Sequence, residues 1–125
     1  LIGADSKTNG AYNMAKVKAV ANWQSKYPAF KWCADLGEGW YLPSIDELER
    51  FTLDNAVHDA VNRTLEAKGG VKLFNRGDFG WYWSSTESNK QDDGRFCAWG
   101  VYLNVGYALY GSKLDNIYVR AVSAF

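Results

Sequence analysis

The chain reads GWYLPSIDEL over residues 39–48, and this stretch contains a well-marked helix start. Ser44 is a typical N-cap residue, and Glu47 stands three positions later, so the two form the pattern of a capping box. Acidic side chains in the first turn also stabilise the positive end of the helix dipole. The stretch therefore predicts a helix that begins after Ser44 and turns Ile45 and Leu48 inward.

Two further helical segments are expected on either side of this start. Over residues 11–26, Met14 and Val17 lie on one helical stripe, and Pro28 should end the helix because proline disfavours helical geometry in the residue before it. A third helix should follow the turn at residues 54–55 and stop at the glycine pair 69–70. We expect residues 68–80 to form a loop.

The second half of the chain predicts strands. Trp81 and Trp83 should share one face of a strand, with Tyr82 on the other. The turn at Gly106 should lead into a strand over residues 107–110, residues 111–112 should turn the chain again, and a last strand should cover residues 117–122. Helices first and strands later favour an α+β fold.

Strict alternation over residues 97–105 separates a core face from an outward face. The outward set is Ala98, Gly100, Tyr102 and Asn104. The core set is Cys97, Trp99, Val101, Leu103 and Val105.

Composition restricts the class of protein. A length of 125 residues is typical of one domain, which we expect to span residues 1–125; the start at Leu1 indicates a processed form or a domain cut from a longer chain. Fourteen basic and fourteen acidic residues give no net charge, so we expect no nucleic-acid partner. No apolar run is long enough for membrane insertion. An aromatic content of 16% indicates that some rings face water.

Catalytic and metal-binding patterns are not evident. His58 is the only histidine, and its position beside Val57 in a helix predicts a solvated residue more than a general base. No spacing of acidic, His or Cys residues is typical of a metal site, so we expect no catalytic residue, no metal and no cofactor. Cys33 and Cys97 could form one disulfide, but two buried thiols are the simpler expectation.

Four segments resemble a known family: GWYLPSIDEL at 39–48, WSSTE at 83–87, AWGV at 98–101 and YVRAV at 118–122. They are similar to the successive signatures of the bacterial domain of unknown function 1566, found at the C-terminus of the Legionella collagen-like adhesin and in Bacteroidetes surface proteins. The family is similar to the C-type lectin-like fold. The resemblance implies helices packed on short antiparallel sheets, a ligand face in the last strands, and a location outside the cell, on its surface or on a phage particle.

The motif residues themselves are expected to have structural roles. Large apolar anchors such as Leu42 and Trp83 would hold the fold, while the polar run at 84–86 could satisfy backbone groups in an irregular loop. Arg120 is expected to be a buried clamp on Glu47 or Glu87.

The last third of the chain also resembles the variable proteins of diversity-generating retroelements. In those proteins, mutagenised AAC codons never yield Trp, Lys, Glu, Gln or Met, and between residues 96 and 118 only Trp99 and Lys113 belong to that set. Both stand where the resemblance expects framework positions. Tyr, Ser, Gly and Asn also suit a binding surface of the antibody type. The expected ligand-binding residues are Tyr102, Asn104, Tyr107, Leu109, Tyr110, Ser112, Leu114, Asp115 and Asn116.

Three functions remain open from the sequence. The first is a non-enzymatic recognition domain that binds a protein or cell-surface ligand through this variable face. The second is a glycan-binding surface adhesin or a pilus-associated domain, although the sugar-binding motifs of calcium-dependent lectins are missing. The third is an enzyme that resembles the formylglycine-generating branch and would depend on Cys97. Against all three stands an ordinary polar hairpin edge, in which tyrosine is simply a good strand residue.

Overall fold

The computed structural model describes residues 2–92, 95–113 and 117–123. These residues form five helices and two antiparallel sheets, so the expected α+β class is confirmed. The helices are α1 (Gly10–Lys18), α2 (Trp23–Lys26), α3 (Pro28–Ala34), α4 (Ile45–Thr52) and α5 (Asn55–Ala67). The strands are β1 (Trp40–Tyr41), β2 (Trp81–Asp92), β3 (Arg95–Tyr102), β4 (Tyr107–Ser112) and β5 (Val122–Ser123).

The larger sheet has the strand order β2-β3-β4, and the smaller one pairs β1 with β5. We call the side of the larger sheet that carries Tyr82 and Val101 its inner face, and the side that carries Trp81 and Trp83 its outer face. The inner face packs on α4 and α5 in a cluster of buried apolar side chains. A second cluster, around Met14, joins α1, α3, β1 and residues 119–121. The main apolar core therefore lies on the inner face of the larger sheet.

Helix α4 begins where the sequence predicts. The Glu47 backbone N–H donates to Ser44 Oγ over 3.3 Å, and the Ser44 N–H donates to Glu47 Oε1 over 3.0 Å. This is a complete capping box, in which two backbone donors at the helix start are satisfied reciprocally. Ile45 and Leu48 are buried as expected. Helix α5 also confirms the third predicted helix, which ends before Gly69 at a positive φ of 75°.

The single helix predicted over residues 11–26 is wrong. Helix α1 ends at Lys18, Asn22 adopts left-handed backbone geometry with φ of 60°, and the short α2 follows. Pro28 does not merely stop a helix, because it occupies the first turn of α3. Proline suits that position, where no N–H is needed and its fixed φ is already helical.

The C-terminal strands also differ from expectation. Gly111 and Ser112 were expected to turn the chain, yet they extend β4 and pair with Ala98 and Cys97 of β3. Val105, expected in the core, lies in the β3-β4 turn with 44% of its surface exposed.

The last strand is much shorter than predicted. Only Val122–Ser123 forms a strand, paired with β1, while Tyr118 makes an isolated bridge to Tyr82. The 117–122 segment thus ties the chain end to both sheets without extending either of them by a full strand.

Candidate ligand-binding face

The β3-β4 hairpin carries the predicted binding residues that the structure describes. Strand β4 pairs with β3 alone in the larger sheet, so its other side is an edge within the described part of the chain. Tyr107 and Tyr110 are 54% and 44% exposed, and Asn104 is exposed in the turn between the strands. Leu114, Asp115 and Asn116 lie outside the described residues.

Strand alternation divides the predicted residues between two faces. Tyr107 pairs with Tyr102 and Leu109 with Gly100, and Tyr102 packs on Trp81, so these residues belong to the outer face. Tyr110 pairs with Trp99 and faces the opposite side, as does Ser112. The structure therefore brings Tyr102, Tyr107 and Leu109 together. Tyr110 and Ser112 lie on the inner face of the same hairpin.

The outer face is more covered than the sequence predicts. The Trp81 ring lies over the strands beneath it and stacks on Tyr102, with 3.8 Å between ring centroids. A Cβ atom at Gly100 would meet Trp81 and would lie 2.8 Å from the Tyr82 carbonyl oxygen. A Cβ at Gly111 would also meet the Trp81 ring. Gly100 and Gly111, in neighbouring strands, are the sequence signal for this packing of Trp81, because a glycine inside a strand often marks the close approach of another group.

On the other side of β4, Tyr110 has a firm neighbour. It meets Trp99 edge-to-face, with ring centroids 5.8 Å apart. Lys7 Nζ lies 5.6 Å from the centre of the Trp99 ring, within range of a cation–π interaction. Trp99 is also packed against the inner-face cluster. It therefore belongs to the framework that supports Tyr110.

The start of the 113–117 segment is held by a buried carboxylate. Glu87 Oε1 accepts hydrogen bonds from the backbone N–H groups of Ile2, Gly3 and Ala4 over 2.9–3.1 Å. Its other oxygen, Oε2, lies 2.6 Å from Lys113 Nζ. The Glu87 side chain is 4% exposed and that of Lys113 33%, so the carboxylate is shielded from water while the ammonium group reaches the surface. Three consecutive donors and one cation satisfy the carboxylate completely.

These contacts set the protonation of Glu87. Burial raises its pKa, but the hydrogen bond and charge of Lys113 and the N–H groups of Ile2 and Ala4 lower it, and the net pKa lies below its ordinary value. The same holds for Glu47. Burial raises its pKa, but the hydrogen bonds from Ser44 and Tyr41 lower it, and the net pKa lies below its ordinary value. Both carboxylates are thus held in the charged form by the fold.

Arg120 does not clamp a carboxylate, so that expectation is wrong. Its Nη2 donates to the backbone carbonyl oxygens of Val71 and Lys72. Glu87 is bonded to Lys113 and to the backbone of residues 2–4, and Glu47 is bonded to Ser44 and Tyr41. The guanidinium therefore fixes the loop after α5, because free carbonyl oxygens in that loop offer it acceptors.

The polar run after Trp83 is buried within β2, where it links three parts of the chain. Ser84 Oγ donates to the Trp99 carbonyl over 2.6 Å. Thr86 Oγ1 accepts from the Ile45 N–H at the start of α4 and donates to the Ser6 carbonyl. Asn13 donates to Ser85 Oγ over 3.0 Å. As predicted, the Ser84 and Thr86 hydroxyls satisfy backbone groups, but the segment lies in a strand and not in an irregular loop, at places where the ladder between β2 and β3 shifts register.

His58 is buried, which corrects the expectation of a solvated side chain. It is 2% exposed, and Nε2 lies 2.8 Å from the Phe74 carbonyl oxygen. A carbonyl only accepts, so Nε2 carries a proton. Nδ1 lies 3.0 Å from a carboxylate oxygen of Asp59. The loop that carries Phe74 folds back over α5 and covers the ring, so His58 holds this loop in place.

The two cysteines are buried thiols, as expected, and neither is in a disulfide. Burial raises the pKa of Cys33 to about 12, so this thiol stays protonated and unreactive. Cys97 is fully buried in β3. An enzyme that depends on an accessible Cys97 does not fit this position.

Two searches of the described residues bear on other kinds of site. Groups of three or more His, Cys, Asp or Glu side chains that could hold a metal ion do not occur among them. Among the same residues, the helices are too short or too polar to cross a membrane.

Comparison with known proteins places the chain in a family. The model of the Lcl C-terminal domain matches residues 5–123, so the chain belongs to that family. Membership of this adhesin-like, non-catalytic family indicates a surface or ligand-binding role. No curated protein and no solved structure gives a significant match.

Proposed function

We propose that this domain is a non-enzymatic recognition module whose C-terminal hairpin is a variable binding face of the diversity-generating-retroelement type. Its ligand would be a protein or a cell-surface molecule. A C-type lectin-like arrangement and display on a cell or phage surface are part of this proposal.

The observation that carries the proposal is the exposure of tyrosine on a fixed backbone. Tyr107 and Tyr110 have about half of their surface in water, while β4 is hydrogen-bonded to β3 along its whole length. Exposed tyrosine offers a large, rigid contact area at low entropic cost and a hydroxyl for hydrogen bonding. Side chains at such positions can change without disturbing the core.

The positions that the AAC template excludes have framework contacts. Trp99 packs on the inner-face cluster, and Lys113 pairs with the buried Glu87. Their neighbours in β4, by contrast, include the most exposed tyrosines of the hairpin. This division between fixed and changeable side chains supports a variable face that begins after Trp99 and surrounds Lys113.

The coding DNA provides the direct test. The proposal expects a near-identical, AAC-rich copy of the segment for residues 96–118 and a reverse-transcriptase gene close by. It also expects that related strains differ at the codons of residues such as Tyr107 and Tyr110 but not at those of Trp99 and Lys113. Strain differences spread evenly over the domain, with no template copy, would exclude diversification.

A glycan-binding adhesin is the second candidate, favoured by the same exposed rings. Tyrosine faces can stack on sugar rings, and the exposed Asn104 can bond hydroxyl groups. A glycan array probed with and without calcium tests this function. Hits that Tyr107→Ala and Tyr110→Ala abolish would favour it over a protein ligand, whereas an array without hits would count against it.

A further inference from the structure

A cavity of about 820 Å³ lies between α3 and the start of β2, away from the exposed edge of the hairpin. Sites for small organic ligands span about 300–1,000 Å³, so this cavity is large enough for one. Its walls include side chains from α3, β2, β3 and the 117–119 segment. The predicted binding residues that the structure describes do not line it.

Aromatic rings dominate the walls. Phe30 and Trp32 come from α3, Tyr27 precedes that helix, and Trp83 comes from the outer face of the sheet. Trp32 is 52% exposed, so one flank of the cavity is an indole ring with little protein cover. Rings from two different elements face a shared space, which suits a flat apolar group.

Among the polar side chains at the cavity, those of Ser84, Ser85, Glu87 and Lys113 already have hydrogen-bond partners, whereas Trp83 and Lys26 offer donors. Trp83 is only 8% exposed, and within the described residues its indole N–H has no hydrogen-bond acceptor. Lys26, at the exposed end of α2, has no ion-pair partner in that same part of the chain.

The one carboxylate at the cavity is already satisfied. Glu87 receives three backbone N–H groups and Lys113, so it offers no further acceptor and its charge is balanced. The remaining charge at the cavity is that of Lys26. A ligand that complements the site must therefore bring hydrogen-bond acceptors and a negative charge.

From this geometry we propose that the cavity binds a small aromatic carboxylate. Its ring system packs among Phe30, Trp32 and Trp83. Its carboxylate accepts a hydrogen bond from the Trp83 indole N–H and forms an ion pair with Lys26. The site does not depend on the proposed role of the hairpin, since none of its residues is one of the exposed tyrosines.

The test uses 2-naphthoate as the probe and 2-naphthamide, which has the same rings without the charge, as its matched control. Both are titrated into the ¹⁵N-labelled domain, and the six tryptophan indole N–H signals are followed by NMR. We expect saturable binding of the carboxylate with a Kd below about 1 mM. The largest indole shift should belong to Trp83, and the amide should bind at least about fivefold more weakly.

Charge reversal at the rim separates this site from unspecific binding. Lys26→Glu should weaken 2-naphthoate about tenfold, whereas Lys68→Glu, an equal change in an exposed lysine after α5, should leave the affinity unchanged. Lack of saturation up to about 5 mM, equal binding of the amide, an unchanged affinity in Lys26→Glu, or largest shifts at Tyr107 and Tyr110 would each overturn the proposal.

Discussion

The polar framework around Glu87 and the β3-β4 hairpin both carry polar side chains, but the framework buries them and the hairpin exposes them. In the framework, Ser84, Thr86 and Glu87 are buried and each has defined backbone partners. In the hairpin, the side chains of Asn104 and Tyr107 are exposed. Backbone hydrogen bonds set the register of the hairpin, and ring contacts of Tyr102 and Tyr110 add to them, whereas the framework depends on buried polar side chains.

This difference indicates where the domain tolerates substitution. A buried polar group that loses its partner costs free energy, because its desolvation is no longer compensated. An exposed side chain on a paired strand has no such cost. The framework should therefore be intolerant, and the hairpin face should accept many residue types.

The largest effect is expected from Glu87→Ala. The change removes the acceptor of three backbone N–H groups and leaves them poorly satisfied in a shielded place. We expect a loss of about 3 kcal/mol in the free energy of unfolding, measured by urea denaturation. Amide exchange of Ile2–Ala4 should accelerate at the same time.

Glu66→Ala is the matched control. Glu66 is an exposed glutamate 3.9 Å from Lys72 Nζ, and its removal should change stability by no more than about 0.5 kcal/mol. Equal effects of the two changes would mean that the Glu87 contacts do not stabilise the framework.

An intermediate loss of stability is expected where Gly100 of the hairpin packs under the Trp81 ring. Gly100→Ala would push a methyl group against Trp81 and the Tyr82 carbonyl oxygen, and it should cost about 2 kcal/mol. In a Trp81→Ala background the same change should cost about 1 kcal/mol less, because part of the clash is gone. Urea denaturation of the four proteins measures this coupling. Strict additivity would contradict the close packing of Trp81 on Gly100.

The pH dependence of stability should show a smaller effect. Because the pKa of Glu87 in the folded state lies below its ordinary value of 4.5, its stabilisation is complete above the unfolded pKa and is lost as the pH falls through the folded pKa. The free energy of unfolding should therefore decrease between about pH 5 and pH 3. Glu87→Gln should show a shallower decrease than the wild type, and Glu66→Gln should not. Parallel curves for all three proteins would contradict this assignment.

Features set by neighbours in sequence were predictable. The capping box of α4 depends on residues three positions apart, and the end of α5 depends on a local glycine. The alternation over residues 97–105 also placed Cys97, Val101 and Leu103 correctly in the core.

Features set by distant contacts were missed. His58 is buried because the loop with Phe74, sixteen residues away, folds over it. The acceptors of Arg120 are backbone carbonyls, which have no signature in the sequence. Gly111 indicates a turn in the sequence, but in the structure it leaves room for the Trp81 ring beside a regular strand.

The candidate site was predictable as a hairpin but not in its details. Alternation indicated that Tyr102 faces outward, yet the stacking of Trp81 on it requires the register between β2 and β3. The division of Tyr107 and Tyr110 between two faces follows from the alternation of the strand predicted over residues 107–110, whereas the glycine at 111 concealed the continuation of β4 through Ser112.

The smallest change in stability is expected at the turn end of the hairpin, at Tyr107. Tyr107→Ala removes a ring that is 54% exposed and should alter the free energy of unfolding by no more than about 0.5 kcal/mol. Tyr110→Ala should cost somewhat more, about 1 kcal/mol, because its ring meets Trp99 edge-to-face. Urea denaturation of both variants measures the difference. A loss above about 2 kcal/mol at Tyr107 would mean that the fold depends on this side chain, and a residue on which the fold depends cannot be freely diversified.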